Sequence, residues 1–107
     1  MDYLKIFRGM TMDNRLYLIN LYDYYKELFT EKQQIYFEEY YFDNLSLQEV
    51  AENHEVSRNA VFKQVKEVEE KLLLYEEKLK LLEKGNEIRK LLENLTEDNK
   101  KRIEELV

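Results

Sequence analysis

The stretch Leu45–Lys66, LSLQEVAENHEVSRNAVFKQVK, has the grammar of two short helices joined by a tight turn. Ser46 precedes a helical pattern and Glu49 follows three residues later. That is the spacing of a capping box, in which the serine hydroxyl and the glutamate side chain each satisfy an amide of the first turn. Val50 and Ala51 fall mid-helix, where a second helix must approach, and the small side chain of Ala51 permits it. His54, Glu55 and Val56 form the turn, with Val56 as its apolar plug. Ser57 caps the second helix, and Val61, Val65 and Val68 recur on its inner face. Residues 46–66 therefore read as a helix-turn-helix whose core is Val50, Ala51, Val56, Val61 and Val65. In DNA-binding proteins with this motif, the second helix enters the major groove.

The outward face of that second helix carries Arg58, Asn59, Phe62, Lys63 and Lys66. Arg, Lys and Asn suit phosphate positioning and contacts to guanine or adenine edges. An exposed aromatic beside cations is equally the mark of a protein interface. Charge weighs against a simple nucleic-acid binder. The chain has a formal net charge of −6, whereas the phosphate contribution to affinity demands a basic footprint. Within Leu45–Lys71, Arg58, Lys63, Lys66 and Lys71 are opposed by Glu49, Glu52, Glu55, Glu67, Glu69 and Glu70. A single copy should bind DNA weakly; the chain is expected to form a homodimer, which would read two half-sites.

Working outward, almost nothing in the 107 residues interrupts helix. Proline is absent, the glycines are Gly9 and Gly85, and apolar residues recur three and four apart. The fold class is all-α. Thr11 or Asp13 can open a first helix with the stripe Leu18, Leu21, Tyr22, Tyr25 and Leu28. Thr30 and Gln33 form a second capping box ahead of Ile35, Tyr36, Phe37, Tyr40 and Tyr41, and Asp43-Asn44 supply a polar turn. From Ser57 no stop signal occurs before Gly85-Asn86, which predicts one long helix. Along it Val68, Leu72, Tyr75, Leu79 and Leu82 make a heptad seam, open to packing inside the chain or against a second copy. Further helical pieces follow over Ile88–Leu95 and from Thr96 to Val107. The organisation is an N-terminal extension (1–12), a helical domain (13–71) and a C-terminal helical extension (72–107).

Tyrosines such as Tyr17, Tyr22, Tyr24, Tyr25, Tyr36, Tyr40 and Tyr41 fall at helical spacing. They read as core and interface, with hydroxyls at the rim, rather than as platforms for unpaired bases. Glu38-Glu39 and Glu69-Glu70 are adjacent, diverge on a helix, and read as solvated charges. His54, the single histidine, is expected to bond to backbone or solvent. With no cysteine there is no disulfide or thiolate site. No glycine-rich phosphate loop, nucleophile elbow or metal-ligand cluster occurs, so neither enzyme activity nor a cofactor or metal is expected. No apolar run reaches membrane-spanning length, MDYLKIFRG lacks the features of a signal peptide, and a cytoplasmic location is expected.

Two resemblances rest on these residues. LFTEKQQIYFEEYYFDNLSLQEVAENHEVSRNAVFKQVK, from Leu28 to Lys66, is similar to the helix-turn-helix of sigma-70 region 4, without the further domain that melts a promoter. The Leu18–Tyr25 segment, LFTEKQ, the Tyr40-Tyr41 pair, LSLQEVA, VSRNAVF and LLLYEEKL together resemble the YlxM-like family of small helix-turn-helix proteins. That resemblance implies a regulatory accessory of the signal recognition particle pathway, acting near the particle's GTPase through protein or RNA. One departure is Glu55, which stands where such turns most often have glycine; a positive φ there costs a non-glycine residue about 1 kcal/mol.

Overall fold

A computed structural model describes residues 12–106. Thr11, Val107 and nearly all of the 1–12 extension lie outside the described residues. Within them the architecture is all-α: α1 (Met12–Tyr25), α2 (Glu31–Tyr41), α3 (Leu47–His54), α4 (Arg58–Leu79), α5 (Leu81–Leu91) and α6 (Glu97–Glu104). Single 3-10 turns, Lys26–Leu28 and Leu92–Asn94, follow α1 and α5.

The caps lie where the sequence puts them. Thr30 Oγ1 accepts from the Gln33 amide (3.2 Å) while Gln33 Oε1 accepts from the Thr30 amide (3.1 Å). Ser46 and Glu49 make the same reciprocal pair at 3.1 and 3.0 Å. Ser57 and Thr96 cap α4 and α6 through the amides of Ala60 and Asn99. Each such cap contributes about 1 kcal/mol.

α4 is the central element, and α1, α2 and α3 all pack on it. The core joins Leu18, Leu21, Tyr22 and Tyr25 of α1 to Tyr36, Phe37 and Tyr41 of α2. Val50 and Ala51 of α3 and Val61, Val65, Val68, Leu72 and Leu73 of α4 complete it. Two expected stripe residues depart from this. Leu28 falls in the 3-10 turn and is 56% exposed, and Ile35 points outward. The α1 stripe ends at Tyr25 because the backbone tightens there; Phe29, beyond the turn, is buried in place of Leu28.

The adjacent glutamates are not all solvated charges. Tyr22 Oη donates to Glu38 Oε2 (2.6 Å), Tyr25 Oη donates to Glu76 Oε1 (2.7 Å), and Tyr41 Oη donates to Glu69. Tyrosines thus fill the core with their rings, and carboxylates at its rim accept their hydroxyls. Burial and the neighbouring carboxylate push the Tyr22 and Tyr41 hydroxyls well above their ordinary range, and the Tyr25 hydroxyl up to about 12. Arg15 lies over the rings of Tyr40 and Tyr41 and donates to the Tyr40 carbonyl (2.7 Å), closing the same corner.

Burial raises the Glu69 carboxyl above its ordinary value of 4.5, against the lowering effect of the Tyr41 hydroxyl. An acid whose folded pKa is raised binds its proton more tightly when folded. Its contribution is therefore full below the unfolded value and is lost as pH rises through the folded one. Glu69→Gln keeps an acceptor for Tyr41 and removes the titration. Urea unfolding of the two proteins should show the variant gaining stability relative to the parent as pH rises from about 4.5.

The long helix expected to run to Gly85 stops at Leu79. Lys80 is left-handed (φ 55°, ψ 35°) and serves both as the C-cap of α4 and as the N-cap of α5. The break is held by side chains distant from any sequence stop signal. The Leu81 amide donates to Tyr25 Oη (3.1 Å), and the Leu82 and Glu83 amides donate to the Glu76 carboxylate (3.1 Å each). Gly85 is helical, inside α5, and its role is close approach. A Cβ there would stand 2.3 Å from the Tyr24 hydroxyl. α5 thereby lies against α1, and Arg89 Nη2 donates to Tyr24 Oη (3.0 Å).

Candidate nucleic-acid or partner interface

The candidate interface is built around the helix-turn-helix. Val50 and Ala51 are fully buried against α4, Val61 and Val65 face them, and Val56 packs on the core from the turn. The Val56 amide reaches back to the Ala51 carbonyl (3.0 Å). Glu55 adopts the left-handed conformation that this turn requires (φ 54°, ψ 43°). A glutamate there is strained, so Glu55→Gly should stabilise the fold by about 0.5–1 kcal/mol. A chemical denaturation midpoint that falls instead would show that the Glu55 side chain outweighs the strain.

The turn is also tied to α2, a link missed by sequence reasoning. His54 Nε2 pairs with Glu39 Oε2, Asn53 Nδ2 donates to Glu39 Oε1 (3.2 Å), and the His54 ring lies 5.1 Å from that of Tyr36. The expected backbone or solvent partner of His54 is replaced by this carboxylate. One signal was available: Glu39 lies three residues after Tyr36, on the same face as a core position. A second tie is Gln33, whose Nε2 donates to Glu67 Oε2 (3.2 Å). The capping glutamine thereby fixes α2 to α4.

With α3 and the turn fixed, the first turns of α4 project outward. Arg58, Asn59, Phe62 and Lys63 are exposed, and Lys66 is half-buried. Phe62 is 41% exposed, and Lys66 Nζ lies 5.5 Å from its ring centroid, within cation–π range. Of the neighbouring acids, Glu67 pairs with Lys71 (3.0 Å) and Glu69 is turned toward Tyr41. Glu67 and Lys71 cancel one another in the sequence tally, and Glu69, turned toward Tyr41, is the acid withdrawn from this face. The face presents cations, one amide and one aromatic on a single helix. Among the described residues no group of three or more His, Asp or Glu could hold a metal ion.

Residues 12–107 match the family described as "Putative helix-turn-helix protein, YlxM / p13 like". The chain belongs to this family. It is similar to the UPF0122 protein YlxM of Bacillus subtilis (strain 168), 42% identical over 88 residues, which span 82% of this chain and 80% of the relative. A UPF0122 protein of Listeria welshimeri is 48% identical over 82 residues, covering 77% and 73% of the two chains. One from Halalkalibacterium halodurans is 43% identical over 98 residues, covering 90% of each. The YlxM/p13-like family is described by its helix-turn-helix and not by a reaction.

In this YlxM/p13-like chain the heptad seam is divided. Val68 and Leu72 are wholly inside the chain's own core, and Tyr75 packs against the rings of Tyr25 and Phe29. Leu82 lies partly buried beyond the break, whereas Leu79 is 45% exposed. α4 runs through residue 71 without interruption, so the helical domain and the C-terminal extension share one element. Among the described residues no helix is long and apolar enough to cross a membrane.

Proposed function

We propose that this YlxM/p13-like chain is a cytoplasmic, non-enzymatic regulator that binds the signal recognition particle, through its protein or its RNA, with the outward face of α4. The observation that carries the reading is exposed Phe62, flanked by Arg58, Asn59, Lys63 and Lys66 on a helix held from behind by a buried valine core. An exposed ring beside cations has the composition of an interface hot spot. The same cations supply phosphate contacts if the partner surface is RNA. A net charge of −6 disfavours binding that rests on phosphate alone. The link to the particle comes from the family resemblance.

The test is direct. Particle protein and particle RNA, each purified, are titrated separately with the chain, and GTP turnover by the particle's GTPase is followed in its presence. Binding to one component with altered turnover is expected. Absence of binding to both, with unchanged turnover, would sink the reading.

The presentation of Arg58 and Asn59 in the first turn of α4 favours a second reading, a dimeric transcriptional regulator on duplex DNA. It requires two half-sites about one helical turn apart and affinity that falls steeply with salt. Binding unaltered by Arg58→Ala and Lys63→Ala would count against it.

A further inference from the structure

We propose that Lys80 is a hinge, and that α5 exchanges between two copies of this chain, leaving its own α1 to dock on the α1 of the partner copy. The connection between α4 and α5 is one residue long, and that residue is a left-handed lysine. Lysine disfavours this conformation roughly five- to thirtyfold relative to the right-handed helix. Short strained hinges of this kind invite exchange of the element beyond them.

The two states satisfy the same backbone groups. In the bent chain, the amides of Leu81, Leu82 and Glu83 are met by Tyr25 Oη and by the Glu76 carboxylate. If Lys80 becomes helical, those amides take the carbonyls of Glu77, Lys78 and Leu79 by the ordinary helical rule. The three amides are satisfied in both states, and the balance turns on Lys80 and the clamp. One helix then runs from Arg58 to Leu91. Val68, Leu72, Tyr75, Leu79 and Leu82 fall on one continuous stripe, and Leu79, 45% exposed in the bent form, joins it.

The occupant is a second copy because the uncovered surface is specific to α5. Gly85 lets the Tyr24 hydroxyl approach to where a Cβ would stand 2.3 Å away, so that a larger residue would require Tyr24 to move, and Arg89 donates to that hydroxyl. Leu82 packs against the core beside them. A straightened chain exposes this α1 face and carries α5 away from it; the α5 of another copy can remake the approach of Gly85 to Tyr24 and the Arg89–Tyr24 hydrogen bond. The exchange is reciprocal and therefore closes as a two-fold dimer.

The chain has no cysteine, so introduced thiols report cleanly. Asn20 of α1 and Asn86 of α5 line the same cleft. Asn20→Cys and Asn86→Cys proteins are mixed, exchanged at high concentration and treated with a short thiol-to-thiol cross-linker, with light scattering to give the dimer fraction. Cross-links between the two different chains are expected in the dimer. Lys80→Gly, which relieves the bent form and weakens the straight helix, should raise the dimer dissociation constant at least tenfold, on the order of the left-handed penalty it removes. Glu76→Ala, which removes the clamp, should lower it. A dimer in which only a chain bearing both cysteines cross-links, and only within itself, overturns the proposal. So does a chain that stays monomeric with Glu76→Ala, or a dimer fraction indifferent to Lys80→Gly.

Discussion

Leu72→Asp is expected to abolish the cooperative unfolding transition, whereas Leu79→Asp keeps it and costs about 1–2.5 kcal/mol. The two leucines stand one heptad apart on the same apparent seam, yet their surroundings differ completely. Leu72 has no exposed surface and closes the core in which α1 and α2 meet α4. Aspartate there forfeits the leucine burial, about 1.5–3 kcal/mol, and places a carboxylate without a partner in the interior, at several kcal/mol more. Together these approach the whole stability of a small domain, about 5–15 kcal/mol. Leu79 is the last residue of α4 and nearly half exposed. Aspartate there loses about half a leucine's burial, roughly 1 kcal/mol, and meets the mild repulsion of the helix C-terminus, about 0.3–1 kcal/mol. Urea titration followed by circular dichroism gives both numbers. A Leu72→Asp protein that unfolds cooperatively within 2 kcal/mol of the parent would mean that this part of the core is dispensable.

The contrast between these leucines explains what was legible in the sequence. The capping boxes at Thr30 and Ser46, the N-cap at Ser57 and the buried set Val50, Ala51, Val61 and Val65 are local patterns. Each needs only residues within a turn or two of one another. The left-handed turn at Glu55 was legible for the same reason. The break at Lys80 was not, because what makes it tolerable comes from elsewhere: Tyr25 is more than fifty residues away, on α1, and Glu76 acts only once the chain has bent. Gly85 misled because glycine is a stop signal in isolation. Here it is a contact for Tyr24, a role that requires knowing that α5 lies on α1. The carboxylate partners of Tyr22, Tyr41 and His54 were hidden likewise, since adjacent glutamates on a helix look solvated until neighbouring helices cover one of them. At the candidate interface the residue types were legible, and their relative exposure was not. Lys66 is half-buried and spent partly on Phe62, and Glu67 and Glu69 are engaged away from the face.

That arrangement makes Phe62 the residue on which partner affinity should depend most. Phe62→Ala is expected to weaken binding to the proposed partner about thirtyfold or more, the scale of a hot-spot aromatic. Its unfolding midpoint should barely move, because the ring is 41% exposed and outside the core. Lys66→Ala should lose less, since an exposed cation–π contact contributes about 0.5–1 kcal/mol. The salt dependence then separates the two kinds of partner. If α4 rests on RNA, each of Arg58→Ala and Lys63→Ala removes a phosphate contact. The slope of log affinity against log salt then falls by about 0.7–0.9 per cation, while Phe62→Ala lowers affinity without changing the slope. If the partner is the particle's protein, the cation variants alter association rate more than dissociation rate, and Phe62→Ala acts mainly on dissociation. Isothermal titration and stopped-flow measurements on these variants resolve the cases. Full affinity in Phe62→Ala would move the contact off the outward face of α4 altogether.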